Sequence, residues 1–349
     1  MPHSGAEPAQ LIEHVFRRHY GRMVAGLTRV FGPAQLDLVE DVVQEALLRA
    51  VKLWPFQGVP DDPAAWLVRV ARNLALDATR RRATARREEE QLRHWAESAA
   101  HAAARPAPAP DEVRDDQLRM IFTCCHPALS PESRVALTLK TLCGFGVGEI
   151  ASALLSKEAT IAQRLTRAKA QLQRAAIDFA VPRSEELGAR LDGVLEVVYL
   201  VFNEGYRAHR GEDLVRTELI GEAIRLAQLL LGMPQTAQPA VHALLALMLL
   251  HSARLPARTD AGGDLLTLAL QDRRRWDRAL LNRGFAHFAR SIGGPELTPL
   301  HVEAAIASAH ASAASYAATD WPTILRYYDQ LLALQDSGLV RLNLSLIHI

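Results

Sequence analysis

One stretch of the chain combines an aromatic ring, a side-chain amide and several guanidinium groups at helical spacing. Arginine neutralises phosphate, tryptophan stacks on an unpaired base, and asparagine hydrogen-bonds to base edges. The pattern suits binding of a melted nucleic-acid strand, although a solvent-facing helix with a half-buried tryptophan would show it too. The residues concerned, with the arginine run that ends the helix, are Trp66, Arg69, Asn73, Asp77, Arg80, Arg81 and Arg82.

A second basic helix, predicted over Glu158–Arg174, carries hydrogen-bonding side chains opposite its apolar face. Arginine can bond guanine through two hydrogen bonds, and glutamine can do the same with adenine. A short helix predicted over Glu149–Leu155 and a tight turn at Ser156 precede it, a helix-turn-helix pattern typical of major-groove readers. Amphipathic helix pairs are common, so the motif alone is only moderately specific. The polar side consists of Thr160, Gln163, Arg164 and Arg167.

The segment 40–50 carries an acidic stripe instead of a basic one. At helical periodicity its apolar residues share one face, and its polar residues share the other. An exposed leucine among carboxylates is typical of a helix that binds a protein partner, whereas a solvated face explains the carboxylates alone. The stripe consists of Asp41, Gln44, Glu45 and Leu48.

Residue types that build enzyme or metal sites are scattered or wrongly spaced. Cys124, Cys125 and His126 stand together, but adjacent cysteines do not have zinc-knuckle spacing, and we expect them to be buried as small apolar residues. The chain has no glycine-rich phosphate loop and no nucleophile in a recognisable setting. We therefore expect neither an enzyme nor a bound metal or cofactor.

Helices must position these side chains, because alanine and leucine are abundant and no segment alternates in polarity as a strand does. The predicted fold class is all-α. Helix starts are indicated where a capping side chain precedes proline, at Asp62-Pro63, Ser130-Pro131 and Thr298-Pro299, and Ser156 is a candidate cap. Alternating prolines in Arg105–Pro110 exclude a helix there and predict an extended linker.

The composition is that of an ordinary soluble protein, with 49% hydrophobic residues and a net charge of +1 over 349 residues. The N-terminal residues lack an apolar signal segment, and the apolar run Val241–Leu250 is too short to span a bilayer. We therefore expect a cytoplasmic protein with no membrane contact.

The order of these motifs resembles the sigma-70 family of RNA polymerase sigma factors. Sigma domain two is resembled by Glu40-Asp41, Gln44-Glu45, Trp66-Leu67, Ala71-Arg72-Asn73, Asp77 and the arginine run. Sigma domain four is resembled by Glu149-Ile150-Ala151, Thr160, Arg164-Leu165 and Arg167-Ala168-Lys169. Two such domains in this order, with none between them, resemble the compact extracytoplasmic-function type.

The resemblance implies partners for each surface, namely core RNA polymerase and promoter DNA. The acidic stripe of Asp41, Gln44, Glu45 and Leu48 would bind the clamp helices of the β′ subunit, and domain four would contact the β flap. The loop 55–63 would help to hold a flipped base. Contacts to the −10 element would come from Trp66, Arg69, Arg72, Asn73, Asp77, Arg80 and Arg81. Contacts to the −35 element would come from Thr160, Gln163, Arg164, Arg167 and Lys169.

The predicted domain organisation follows from the same resemblance. We expect a helical bundle of sigma domain two over 8–85, a linker over 86–112, and the helix-turn-helix of domain four over 113–182. A helical, tetratricopeptide-like regulatory extension follows over 183–343, with a possible partner of its own, and 344–349 resembles a non-native tail.

Within the extension, the Asn203–Tyr206 cluster is either a ligand or docking site, or a helix end capped by Gly205. Two other functions compete with a sigma factor. A helix-turn-helix regulator with a C-terminal sensor needs neither the acidic stripe nor the Trp66–Arg82 stripe. A pure helical scaffold leaves the first 182 residues without a role.

Overall fold

The computed structural model describes residues 8–86, 110–207, 214–260, 262, 264–294, 296–335, 338 and 340–342. Over these residues the prediction of an all-α fold is confirmed, since every regular element is a helix and extended pairing is limited to the isolated bridge between Thr259 and Leu265. Most of the predicted linker and all of the predicted tail, 87–109 and 344–349, lie outside the described residues.

The chain divides into two compact units, a first unit over Met1–Val197 and a second unit over Val198–Ile349. The boundary falls within a helix, so the predicted extension begins before the second unit does. The helices of the first unit, ending with the one that crosses the boundary, are α1 Pro8–Phe31, α2 Leu36–Gln57, α3 Pro63–Arg86, α4 Pro110–Cys124, α5 Pro131–Thr141, α6 Val147–Ala153, α7 Glu158–Arg174 and α8 Ser184–Arg207.

The first unit is built on α1, α2 and α3, whose apolar faces share one core. Helix α4 packs against α1, and the turn after α5 also approaches α1 closely. A side chain at Gly21 would place its Cβ 2.2 Å from the carbonyl oxygen of Leu142, so only glycine permits this approach. Gly144, at φ +76°, turns the chain beside Tyr20. The first three helices and the helix-turn-helix segment therefore pack as one unit.

The predicted helix starts at Asp62 and Ser130 are confirmed. The Asp62 carboxylate accepts a hydrogen bond from the Ala65 N–H at 2.9 Å, and the Ser130 hydroxyl accepts one from the Ser133 N–H at 3.3 Å. The prediction that Ser156 caps α7 is wrong. The helix begins at Glu158, so the N-cap residue is Lys157, without a side-chain capping bond, and the Ser156 N–H closes the preceding turn by donating to the Ala151 carbonyl at 2.8 Å.

Helix α7 has the predicted bounds, whereas α6 begins and ends two residues earlier than predicted. The Glu149 carboxylate accepts a hydrogen bond from the Gly146 N–H at 2.6 Å, which starts the helix early. Leu155 adopts φ 47° and ends it. These two local interactions set the turn of the helix-turn-helix.

The second unit is organised around one helix that is buried on all sides. Its helices are α9 Leu214–Leu231, α10 Pro239–Ser252, α11 Arg278–Ser291, α12 Pro299–Ser312 and α13 Trp321–Leu334. Helix α10 contacts α9, α11 and α12, and Gly284 of α11 lies against Leu250 so closely that a Cβ would come within 2.8 Å.

Among the described residues, the 19-residue segment Pro239–Ala257 is long and apolar enough to cross a membrane by length and composition. In the structure, 67% of its apolar window is buried inside the protein. Its hydrophobicity is therefore used to form the core of the second unit.

The prediction that Gly205 caps a helix is wrong. Helix α8 continues through a buried Gly205 to Arg207. Stacking between Phe202 and Tyr206, with ring centroids 5.5 Å apart, supports this last turn. The Arg258 guanidinium also donates to the Tyr206 carbonyl at 2.6 Å, so a carbonyl at the helix end is satisfied without a glycine cap.

Candidate nucleic-acid and polymerase surfaces

Helix α2 brings all four residues of the predicted acidic stripe to one exposed face. Val42, Val43 and Ala46 are buried on the opposite side. Leu48 is 51% exposed although it is apolar, and the Arg49 guanidinium lies 3.2 Å from the Glu45 carboxylate. The face is thus acidic and solvent-accessible, with one leucine that water solvates poorly.

Helix α3 presents a mainly basic stripe. Trp66 and Arg72 are half-buried, and the exposed members are Arg69, Asn73, Asp77, Arg80 and Arg81. The ring of Trp66 packs edge-on against buried Trp54, with centroids 5.5 Å apart. One part of the Trp66 ring therefore belongs to the core, and the remainder faces solvent beside the exposed stripe.

An exposed aromatic ring lies where α2 ends. The helix continues through Pro55 to Gln57 and stops at Gly58, which adopts φ 81° and donates to the Trp54 carbonyl at 3.0 Å. Phe56 is 89% exposed in this turn. The loop 55–63 was expected from the sequence to contact DNA, but Phe56 within it was not identified. An aromatic residue between a proline and a glycine at the end of a helix could have indicated an exposed ring.

In the helix-turn-helix, Thr160, Gln163 and Arg167 of α7 are exposed, and Arg164 is half-buried. The apolar side of the helix is buried, as its periodicity predicts. The turn before α7 exposes 81% of Leu155. Four of the five residues predicted to contact the −35 element therefore lie on the accessible part of one helix.

Lys169, the fifth, is not grouped with the others. Its ammonium lies 2.7 Å from the Asp37 carboxylate and 2.6 Å from the Glu40 carboxylate of α2, and its side chain is only 14% exposed. Burial alone would lower the pKa of Lys169, but the two carboxylates outweigh it and raise the pKa, so the ammonium stays charged at neutral pH. Lys169 ties the helix-turn-helix to α2.

Glu40 is the buried half of this ion pair, with 4% of its side chain exposed. Burial raises its pKa, and the attraction of Lys169 opposes that rise without cancelling it. Sequence analysis placed Glu40 in the acidic segment but not in a pair with Lys169. A second buried carboxylate, Asp116 of α4, is held by Arg29 at 3.1 Å and Arg119 at 3.2 Å.

The adjacent cysteines pack as small apolar side chains. The Cys124 thiol lies 3.0 Å from the Thr141 hydroxyl, and the Cys125 thiol lies 3.8 Å from the Thr138 hydroxyl. Burial raises the pKa of Cys125 to about 12, so it remains a thiol at neutral pH. Among the described residues, no group of three His, Cys, Asp or Glu side chains is arranged to hold a metal ion.

Comparison with known proteins assigns three segments to families. Residues 15–85 match Sigma-70 region 2, and residues 119–172 match Sigma-70, region 4. Residues 190–292 match a family of unknown function (DUF6596). The acidic and basic stripes of α2 and α3 lie within the first match, and the second match contains α6 and all but the last two residues of α7.

Two curated relatives extend these matches. An uncharacterized protein of Rhizobium meliloti (strain 1021) is 42% identical over 310 residues, covering 88% of this chain and 73% of the relative. The ECF RNA polymerase sigma factor SigG of Mycobacterium tuberculosis is 28% identical over 246 residues, covering 63% of this chain and 64% of the relative. The chain thus aligns with slightly less than two thirds of SigG. No solved structure matches significantly.

Proposed function

The chain belongs to the sigma-70 family of RNA polymerase sigma factors, as a member of the extracytoplasmic-function type, and we propose a role for each of its surfaces in promoter-directed transcription initiation. Members of this family are initiation factors rather than enzymes. The observation that carries the proposal is that α2 and α3 share one core yet expose two stripes of different chemistry, one acidic and one mainly basic. One rigid body can therefore bind polymerase and DNA together.

The acidic face of α2 is the proposed contact with core RNA polymerase, at the clamp helices of the β′ subunit. Its carboxylates attract a basic partner surface, and the exposed Leu48 supplies apolar area that becomes buried on binding. Domain four contributes a second contact with the β flap. Both assignments rest on the family resemblance together with the exposure of the residues.

The stripe of α3 is the proposed contact with the −10 element. Arg69, Arg72, Arg80 and Arg81 neutralise phosphates, while Asn73 and Asp77 face base edges. Trp66 adds a partly exposed ring. Stacking of an unpaired base on an aromatic side chain contributes about 1–3 kcal/mol.

The exposed ring of Phe56 adds a candidate stacking surface for an unpaired base in the loop 55–63. Its 89% exposure leaves almost the whole ring available for stacking. Replacing Phe56 by alanine should weaken opening of promoter DNA more than binding to closed duplex.

The exposed residues of α7 are the proposed contact with the −35 element, with Gln163 and Arg164 as base readers and Thr160 and Arg167 beside them. Lys169 is not part of this proposed DNA contact, because its ammonium group forms ion pairs with Asp37 and Glu40. The expected location is the cytoplasm, where core polymerase acts, and the second unit is assigned a regulatory role.

A charge reversal tests the polymerase surface. Asp41→Lys combined with Glu45→Lys should weaken binding of core polymerase in a titration, because both side chains are exposed and the reversal repels a basic partner. The matched control is the reversal of two exposed acids of the second unit, Glu296→Lys with Asp329→Lys. Equal affinities for wild type and the α2 variant, with both folded, would overturn the assignment.

A transcription assay separates a sigma factor from a helix-turn-helix regulator with a sensor. Core polymerase with this protein should produce run-off transcripts only from a template that contains its −10 and −35 elements. A regulator would bind DNA without core enzyme and would not enable core enzyme to initiate. Failure of core polymerase to produce these transcripts when this protein is present would therefore contradict the proposal.

A further inference from the structure

Positive side chains cluster around one buried indole in the second unit. Trp276 is 3% exposed, and it follows the short 3-10 turn Arg273–Arg275. The guanidinium carbon of Arg273 lies 4.6 Å from the centre of the Trp276 ring, and that of Arg254, just after α10, lies 5.7 Å from it. Two half-buried guanidinium groups thus flank one aromatic ring, a cation–π arrangement that strengthens as water is excluded.

The protein partners of these two arginines are neutral. Arg254 donates to the side-chain oxygen of Gln271 at 3.3 Å, and Arg273 donates to the carbonyls of His310 and Ala313 at 2.6 and 2.7 Å. Within the part of the chain that the structure describes, neither guanidinium forms an ion pair. The carbonyls at the end of α12 offset part of the Arg273 charge through the helix dipole.

Several donors in the cluster are also unused. Nη2 of Arg273 and Nε1 of Trp276 are buried without a hydrogen-bond partner among the described residues. Buried donors normally find a partner, because an unsatisfied one keeps its full desolvation cost. The Arg254 guanidinium donates through Nε to Gln271, and within the described part of the chain its other N–H groups form no hydrogen bond. The unused groups of the two arginines and of Trp276 are hydrogen-bond donors, which is what an anion needs, and Nδ1 of His251 and of His310 is likewise without a partner among the described residues.

A third cation and two histidines lie beside this cluster. The Arg258 guanidinium stacks on Tyr206, with its carbon 3.7 Å from the ring centre. Burial, together with the nearby arginines, lowers the pKa of His251 to about 3 and that of His310 to about 4. Both histidines are therefore neutral at physiological pH, and the arginines set the local charge.

We propose that this cluster, hereafter the Trp276 site, binds a small oxyanion, a phosphate or carboxylate group, through the guanidinium groups of Arg254 and Arg273. A guanidinium matches both oxyanions because it offers two parallel N–H donors. Both arginines are half-buried, so part of each side chain remains accessible, and the Trp276 ring beside them is buried. An oxyanion would offset the two half-buried cations and satisfy their unused donors. The inference goes beyond the proposed function, because neither sigma region takes part in the site.

The site would make the second unit a sensor of an anionic small molecule. A ligand that binds only the folded unit stabilises it in proportion to its affinity and concentration. The Asn203–Tyr206 segment, for which sequence analysis left a ligand site open, contributes Tyr206 to the neighbouring Arg258 contact. Ligand binding would therefore stiffen the end of α8 as well as the Arg254–Trp276 segment.

The test measures binding to the full chain by calorimetry and thermal unfolding at constant ionic strength, with inorganic phosphate and malonate as probes against chloride. Arg254→Gln removes the positive charge together with the hydrogen bond from Nε to Gln271. Arg254→Lys retains the charge but not the two parallel N–H donors of the guanidinium group. Arg275→Gln, on the same turn as Arg273 but exposed, is the matched control.

Phosphate, malonate or both should raise the unfolding temperature of wild type and of Arg275→Gln. The affinity should fall by about tenfold or more in Arg254→Gln, as expected for loss of hydrogen bonds from a charged donor, and by less in Arg254→Lys. A response to phosphate alone identifies a phosphoryl ligand, and a response to malonate alone identifies a carboxylate. No response to either probe, or an equal response in wild type and both Arg254 variants, would overturn the proposal.

Discussion

Two clusters of buried charge, one in each unit, are arranged in opposite ways. In the first unit, the buried carboxylates of Glu40 and Asp116 each contact a cation from a distant helix, Lys169 and Arg29 respectively. Around Trp276 in the second unit, half-buried guanidinium groups contact an amide oxygen, carbonyls and an aromatic ring. In the first arrangement each buried carboxylate is paired with a cation, whereas in the second the guanidinium groups have no negative partner among the described residues and could bind an anionic ligand.

This difference separates charges that hold a fold together from charges that are available for binding. A buried ion pair contributes little net stability, because desolvation of the two charges offsets their attraction. Removing one partner nevertheless destabilises the fold, since it leaves the other charge unpaired in the protein interior. Removing a cation whose partners are neutral leaves no unpaired opposite charge in the interior. Substitutions in the two units should therefore have unequal costs, even where the side chains are similarly buried.

The largest effect is expected for Lys169→Met, which leaves Glu40 buried and unpaired. Loss of one partner of a buried pair costs about 3–5 kcal/mol, so the free energy of unfolding of the first unit should fall by about that amount. The matched variant in the second unit, Arg254→Met, should cost clearly less. Urea unfolding with segment-resolved hydrogen exchange measures both.

A compensating variant sharpens this expectation. Lys169→Met combined with Glu40→Leu removes both charges, and it should recover most of the lost stability. If Lys169→Met were as stable as wild type, or if Arg254→Met were the more damaging of the two, the contrast between the units would be wrong.

A smaller effect for each residue is expected from pH, and it should be concentrated in the second unit. The folded pKa values of His251 and His310, about 3 and about 4, lie below the ordinary value of 6.5. The unfolded chain therefore binds protons below pH 6.5 that the folded chain refuses, and stability is lost as pH falls from 6.5 towards 4. At pH 5 the loss should be about 2 kcal/mol for each histidine.

Hydrogen exchange of α10 and α12 at pH 7 and pH 5 measures this loss. His251→Phe removes one of the two titrating groups and keeps an aromatic ring beside Tyr206, so it should roughly halve the dependence on pH. An unchanged stability of these helices between pH 7 and pH 5 would show that the histidines are not buried in a cationic surrounding.

The third effect concerns a cation whose proposed partner is another molecule. Arg164→Ala should weaken binding of the polymerase holoenzyme to promoter DNA by about 1–3 kcal/mol if Arg164 reads a base of the −35 element. Arg174→Ala, an exposed arginine at the far end of α7, is the control and should have less effect. Equal losses for the two variants would indicate general attraction to phosphate instead of base reading.

The smallest effect is expected for the exposed pair of Arg49 and Glu45. Its N–O distance of 3.2 Å is close to that of the buried Arg29–Asp116 pair, but both of its side chains are about half exposed. Solvent screening limits such pairs to about 0.3–0.5 kcal/mol. Arg49→Ala should therefore change the urea midpoint barely measurably, and a loss like that of Lys169→Met would show that burial does not set the cost.

Local sequence patterns were sufficient to predict the faces of α2, α3 and α7. Helical periodicity fixes the angle of each side chain around its own axis, so Asp41, Asn73 and Gln163 were assigned to the correct exposed faces without any tertiary information. The caps at Asp62 and Ser130 were predictable for the same reason, since the bonded groups lie three residues apart in the chain.

Only the tertiary structure determines which residues of other helices a given helix face contacts. Lys169 shares a motif with the predicted DNA contacts, yet its partners Asp37 and Glu40 are more than a hundred positions away in the sequence. Periodicity carries no information about which helix packs against which. Gly205 is helical, and Arg254 and Arg273 meet at Trp276, for the same reason. Long-range packing determines how deeply a residue is buried and which residues it contacts, and the local sequence pattern contains neither.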